Sequence, residues 1–272
     1  MSPALPFSRT SNLAPSDSES DAFGFEVARL SIGGNWHRDA GSSNALVSNV
    51  IEVLDAEPVD TVIIRFPSDF VALASLAETA TRRLHHAGTL VYWEDPLVND
   101  GPSSPKGRLE ISPSGTAPTS AFVADAVALI ADSFAGYVNH YSYNGRIPND
   151  VAQAGYVDWT RRTIADPSGI GVVVHDETGP VAVATVRLHT DDEGTVAEVE
   201  LAGVVRARQG SGWYATLWSG IREAVSAAGA SRLIISTQVS NVRVQRAWAR
   251  LGMVPLAAFD TVHAERHHVG EL

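Results

Sequence analysis

Three groups of residues have types and spacings suited to chemistry. The first is "RARQGSGWYATLW", residues 206–218, where Gly210 and Gly212 stand just before an apolar run at helical spacing. Such a turn is either a cradle for an anionic ligand, made of free backbone N–H groups at a helix start, or a plain strand-to-helix connection. The second is the pair Glu198 and Glu200 in "GTVAEVELAGVV". Two residues apart on a predicted strand, they share one face, as working carboxylates or as a solvent-facing pair. The third is "YVNHYSYN", with His140 among Tyr137, Tyr141 and Tyr143, to which "FDTVH" adds His263. A neutral imidazole is a competent base near pH 7. The tyrosines either floor a ring-shaped ligand or fill half-buried space.

The elements that must position these groups follow from hydrophobic periodicity. Phe23 to Gly33 alternates like a strand, Asn44 to Leu54 has helical spacing, and Val59 to Pro67 is a short apolar strand. "DFVALASLAETATRRLHHAG" reads as a helix capped by Asp69 and stopped by Gly88, with His85 and His86 at its C-terminal dipole. Thr89 to Leu97 is the next strand. "VNDGPSSPKG" then reads as a linker. Beyond it come a strand near Arg108 to Ser112, helices Ala121 to Tyr137 and Val151 to Ile164, and three strands joined by "DETG" and "TDDEG" hairpin turns. The glycine turn and its helix follow, then strand "RLIISTQV", a helix from Asn241 to Leu251 and a last strand from Met253 to His263. The resulting expectation is a disordered leader (1–21), an N-terminal α/β domain (22–98), a linker (99–106) and a C-terminal domain (107–272). No repeat at a short period is visible.

Composition narrows the partners. The 272 residues are 44% hydrophobic, with 20 Lys+Arg against 31 Asp+Glu and a formal charge of −11. That disfavours nucleic acid or an anionic membrane as the main partner. The chain has no cysteine, which removes disulfides, thiolate nucleophiles and Cys-based zinc sites, and no metal site is expected. With no signal-peptide pattern and no apolar run near the ~20 residues of a membrane helix, a cytoplasmic location is expected.

A downstream segment, "NVRVQRAWARLGM", changes the reading of the glycine turn. Gln209, Gly212 and Leu217, followed by Asn241, Val244, Trp248, Gly252 and Met253, resemble the two motifs of the GNAT superfamily of acyl-CoA-dependent N-acyltransferases. The resemblance covers about residues 107–263. It implies a GNAT fold: a mixed, mostly antiparallel sheet flanked by helices, here with an additional N-terminal α/β unit of partial GNAT-like topology. It also implies acetyl-CoA as cofactor, held by Val204, Val205, Gln209, Gly210, Ser211, Gly212, Trp213, Tyr214, Asn241 and Trp248, with Arg206 or Arg208 as charge partner. The acceptor would be a small-molecule amine, bound by Tyr137, His140, Tyr141 and Tyr143. Glu198, Glu200, His140 or His263 would take its proton. The family often places an acidic tyrosine where Trp248 stands, so Trp248 packs instead against the cofactor arm or the core. Tyr214 likewise replaces a Gly or Ala. The looser stretches "AFGFEVARL", "TVIIRFP", "TLVYWEDPL" and "FAGYVNHY" are similar to the branch that acetylates nucleotide-linked amino sugars, such as TDP-fucosamine acetyltransferases. Transfer of another acyl group, or a binding role without catalysis, stays open.

Overall fold

A computed structural model describes residues 12–33, 43–97, 106–191 and 194–267. Its strands are β1 (Asn12–Pro15), β2 (Val27–Ser31), β3 (Thr61–Pro67), β4 (Arg82–Asp95), β5 (Arg108–Ser112), β6 (Gly169–Asp176), β7 (Gly179–Asp191), β8 (Gly194–Val204), β9 (Arg232–Gln238) and β10 (Val254–Arg266). Its α-helices are α1 (Asp17–Phe23), α2 (Ser43–Ala56), α3 (Val71–Ala74), α4 (Ser120–Ser133), α5 (Asn149–Ala165), α6 (Trp213–Ala227) and α7 (Val242–Arg250). The strands form a single mixed sheet in the order β1-β2-β3-β10-β4-β9-β8-β7-β6-β5. Only β2/β3 and β8/β9 are parallel, and each pair is joined by a crossover helix, α2 or α6.

Hydrophobic periodicity explains the layers. In α6, Leu217, Ile221, Ala224 and Val225 recur on one face and pack on Val172, Ala184, Val199 and Ile235 of the sheet. The opposite face of β6–β8 carries Val173, Val183 and Leu201, covered by Phe122, Leu129 and Ile130 of α4 and Ile164 of α5. Thr119 caps α4 by accepting from the Phe122 N–H. A second core joins Val50 and Leu54 of α2 to Ala28, Leu30, Val62, Ile64 and Val262.

Three expectations change. The helix expected over residues 69–88 is one turn, α3, after which β4 begins at Arg82. Residues 82–94 pair with β10, and the Arg82 guanidinium, fully buried, donates to the carbonyls of Leu54, Glu57, Val59 and Ala264. These long-range bonds override local helix propensity. His85 and His86 therefore sit on a strand, beside Glu265 and Asp260, and not at a helix end. Residues 12–21 of the expected leader are ordered as β1 and the start of α1, with Glu19 buried; residues 1–11 lie outside the described residues. Finally, the sheet does not divide at the expected linker, of which residues 99–105 lie outside the described residues. β10, from the C-terminal part, inserts between β3 and β4, and β4 pairs with β9. Asp95 at the end of β4 accepts from Trp218 Nε1 (2.5 Å) and Arg222 Nε (2.7 Å), pinning α6 to an N-terminal strand. No helix of the described residues is long and apolar enough to cross a membrane.

Candidate active site

The parallel pair β8/β9 is hydrogen-bonded only from Val196↔Arg232 to Val199↔Ile235. A bulge at Glu200, between Thr185↔Leu201 and Val186↔Val199, bends β8 away. Gly203 permits the bend: a Cβ there would lie 2.6 Å from the Ser133 side chain at the end of α4. Beyond the bulge the two strands part, so Glu200–Val204 and Ser236–Gln238 face an opening with unpaired backbone edges.

At the mouth of this opening lies the glycine turn. Gly210 (φ 82°) and Gly212 (φ 89°) are left-handed, a conformation that costs other residues about 1–2 kcal/mol. Among the described residues, no carbonyl accepts the N–H groups of residues 210–214, which leaves them as donors at the N-terminus of α6. Gln209 donates to the Val204 carbonyl (3.1 Å) and accepts from Arg243 (3.1 Å), while Val205 N–H is taken by Val181. Lys106 lies against the turn, with Nζ 3.3 Å from the Ser211 carbonyl and 4.5 Å from the Trp213 ring centroid. Two cations thus flank the donors, neither of which the motif spacing indicated. Arg206 and Arg208 face elsewhere: Arg208 pairs with Asp176 (2.8 Å), and Arg206 donates to the Ala135 carbonyl. A pyrophosphate-bearing cofactor fits this combination of free N–H groups, glycine backbone and flanking cations.

Several side chains expected to touch a cofactor belong to the core. Trp248 is 1% exposed and donates from Nε1 to the Tyr214 hydroxyl (2.8 Å). Trp248 also packs on Trp93. Burial raises the Tyr214 phenol above its usual range, and its hydroxyl accepts from Trp248. Trp213 is buried too, leaving only its N–H to the turn. Asn241 stands on the other lip of the opening. Its amide donates to Thr237 Oγ1 (3.0 Å), whose hydroxyl is 3.3 Å from the Tyr137 hydroxyl. Tyr137 therefore reaches the end of β9, braced by Phe134 and Tyr156.

The two glutamates separate. Glu200 accepts from Arg187 Nε (2.7 Å), Trp159 Nε1 (2.9 Å) and the Thr163 hydroxyl, and is locked between sheet and α5. That argues against its assignment as a base: both oxygens accept from fixed donors and its charge is paired with Arg187. Among the described residues Glu198 meets only His189 Nε2 (3.2 Å), and it lies on the same sheet face as Tyr92 of β4, whose hydroxyl feels its charge.

The loop 137–144 crosses this face and joins two residues far apart in sequence. His140 Nδ1 is 3.0 Å from His263 Nε2, and His263 Nδ1 is 3.1 Å from Asn144 Nδ2. Because Asn144 Oδ1 accepts the Arg146 N–H (2.9 Å), its NH2 must face His263. His263 then carries its proton on Nε2 and donates to His140 Nδ1, which leaves His140 with its proton on Nε2. Burial, then the charge of Arg29, holds His263 down to about 4, and burial with the His263 neighbour puts His140 well below its usual value. Both imidazoles are neutral at pH 7. Tyr141 is not a free ligand-binding ring. It donates to Glu19 and accepts from Arg29 Nη2 (2.8 Å), in a buried triad that ties α1 and β2 to the loop. Tyr143, 59% exposed, makes no ring or hydrogen-bond contact among the described residues.

Residues 127–253 match the Acetyltransferase (GNAT) family. No curated protein sequence matches the chain. The fold is shared with a functionally unknown conserved protein from Staphylococcus epidermidis (13% identity, 89% of this chain and 85% of that one, TM-score 0.53). It is also shared with a GNAT-family acetyltransferase from Colwellia psychrerythraea (12%, 89% and 78%, 0.52) and a GCN5-related N-acetyltransferase from Sphaerobacter thermophilus (12%, 88% and 73%, 0.50). The opening, the glycine turn and the family match fall in one span: residues 127–253 are similar to the Acetyltransferase (GNAT) family.

Proposed function

We propose that the chain transfers an acetyl group from acetyl-CoA to the primary amine of a small molecule by direct attack, with both substrates bound together. The observation that carries this reading is the juxtaposition of the β8/β9 opening with the donor turn at residues 210–214. Bound acetyl-CoA would supply the activated acyl carbon. Lys106, Arg243 and the free N–H groups would hold its phosphates, and the unpaired edge of β8 would accept an extended arm as an added strand. An amine attacks only when neutral, and Glu198, not neutralised by an arginine, takes its proton directly or through water. The neutral His140–His263 pair borders the same face and provides a hydrogen-bond donor at His140 Nε2, to which no described group is bound. Trp248 excludes a tyrosine acid at its position, and a thiolate leaves without one. Nucleotide-linked amino sugars are the acceptor class favoured by the sequence resemblance.

The test is CoA release from acetyl-CoA with a panel of TDP-amino sugars and simpler amines. Glu198→Gln should lower kcat by about 10²–10³-fold with CoA affinity unchanged. No CoA release with any amine, together with no calorimetric CoA binding, would sink the proposal.

A further inference from the structure

Arg65 on β3 is the residue on the acceptor face that the reading above leaves without a role. It stands in register opposite Thr261 of β10, two strands from Tyr92, whose hydroxyl it hydrogen-bonds. The other guanidiniums on this face are neutralised: Arg29 by Glu19 (2.6 Å) and Arg187 by Glu200 (2.7 Å) and Asp166 (2.9 Å). Arg65, half-buried, has no carboxylate within ion-pair distance among the described residues. Its Nε is buried without a partner. So is the hydroxyl of Thr261, a residue only 1% exposed. Around them stand the Tyr92 hydroxyl and the histidine pair, all uncharged, and both histidines feel the Arg65 charge.

A guanidinium whose Nε is buried without a counter-ion costs free energy unless something negative completes it, and the buried, unpaired Thr261 hydroxyl beside it adds to that cost. Both costs vanish if a bound molecule brings an anion. We infer that Arg65, with Thr261 and Tyr92, forms a subsite for an anionic group, a carboxylate or a phosphate, on the acceptor amine. The inference rests on the acetyltransferase reading and adds to it the charge of the substrate. Strands lie about 4.8 Å apart, so Arg65 is roughly 10 Å along the sheet from β4 and one strand more from the β8/β9 opening. An acceptor whose anion sits on Arg65 therefore needs its amine several bonds away.

Matched acceptors test this. One arm compares 6-aminohexanoate with 6-aminohexanamide, the other glucosamine 6-phosphate with glucosamine. Each is measured for CoA release with acetyl-CoA and for thermal stabilisation of the protein without turnover. In at least one arm the anionic member should be preferred by about 10- to 100-fold in kcat/KM. Arg65→Gln should abolish that preference through KM, Arg65→Lys should keep part of it, and Thr261→Val should weaken it several-fold. CoA affinity should be unchanged in all three. If nothing turns over, stabilisation by the anionic member in the wild type but not in Arg65→Gln still supports the subsite. Equal behaviour of charged and neutral members, or a preference that survives Arg65→Gln, overturns it, and CoA binding in the same samples keeps the acetyltransferase reading intact. Failure of CoA to bind would instead strike that reading.

Discussion

The two parallel units of the sheet, β2-α2-β3 and β8-α6-β9, are built alike and end differently. The seven residues Thr61–Pro67 are matched by the seven of Arg232–Gln238 about 171 positions on, and β4 is matched by β10 at nearly the same interval. In sequence, Arg38, Gly41 and Leu46 repeat the spacing of Gln209, Gly212 and Leu217. The final strands are exchanged: β10 completes the N-terminal half beside β3, and β4 completes the C-terminal half beside β9. Yet all of β2 pairs with β3, and the ladder is extended by the Ile32 N–H to the Arg65 carbonyl. In the C-terminal half the ladder stops at Val199, where the bulge turns β8 outward. One unit is closed along its β2/β3 ladder, while the other is open and presents backbone donors.

Substitutions can break or sharpen that contrast. The largest effects should fall on the pins of each half. Arg82→Met leaves several carbonyls buried and unpaired, and Trp248→Ala empties a core site, so each should cost about 3–5 kcal/mol in denaturant unfolding. Below the transition, Arg82→Met should still bind acetyl-CoA, as expected if the closed half does not hold the cofactor.

The next effect is on pH. His263 is held near about 4 when folded, against an ordinary value of 6.5, so the unfolded chain binds a proton that the folded chain refuses. Stability is complete above pH 6.5 and is lost as pH falls toward 4. For His263 alone the loss from pH 7 to 5 should be about 2 kcal/mol. Urea midpoints at pH 7, 6 and 5 measure it, and His263→Gln should flatten the slope. Because the pair couples β10 to the loop after α4, an unchanged slope would deny that coupling.

Smaller still is the electrostatic contribution at the turn. Lys106→Ala or Arg243→Ala should weaken CoA binding by about 1 kcal/mol each, less at high salt, with no change in melting temperature. Arg208→Ala, which loses only a surface pair with Asp176, should leave CoA affinity as it was.

The sequence carried the local parts of this architecture well. The three antiparallel strands, α6 and the glycine turn are readable because their periodicity and turn residues are local. What it hid was set at long range. Residues 75–88 look helical until Arg82 finds carbonyls on α2's end and on β10. Glu198 and Glu200 are equivalent by alternation, and only the bulge and Arg187 separate them. His140 and His263 were each visible as candidate bases, but no spacing shows that a shared hydrogen bond joins them. By sequence Lys106 reads as linker, and Tyr141 and Trp248 read as ligand contacts, since aromatic residues announce burial without saying what they face.

The most direct test of the open-and-closed contrast is the calorimetric stoichiometry of acetyl-CoA, read in the wild type and in Gly212→Val. The expected result is one equivalent per chain, weakened by about 100-fold or lost in the variant, while the variant stays folded at a cost of about 1–2 kcal/mol. Two equivalents per chain, or one that survives the substitution, would contradict it, because the closed β2/β3 unit would then be a binding site too.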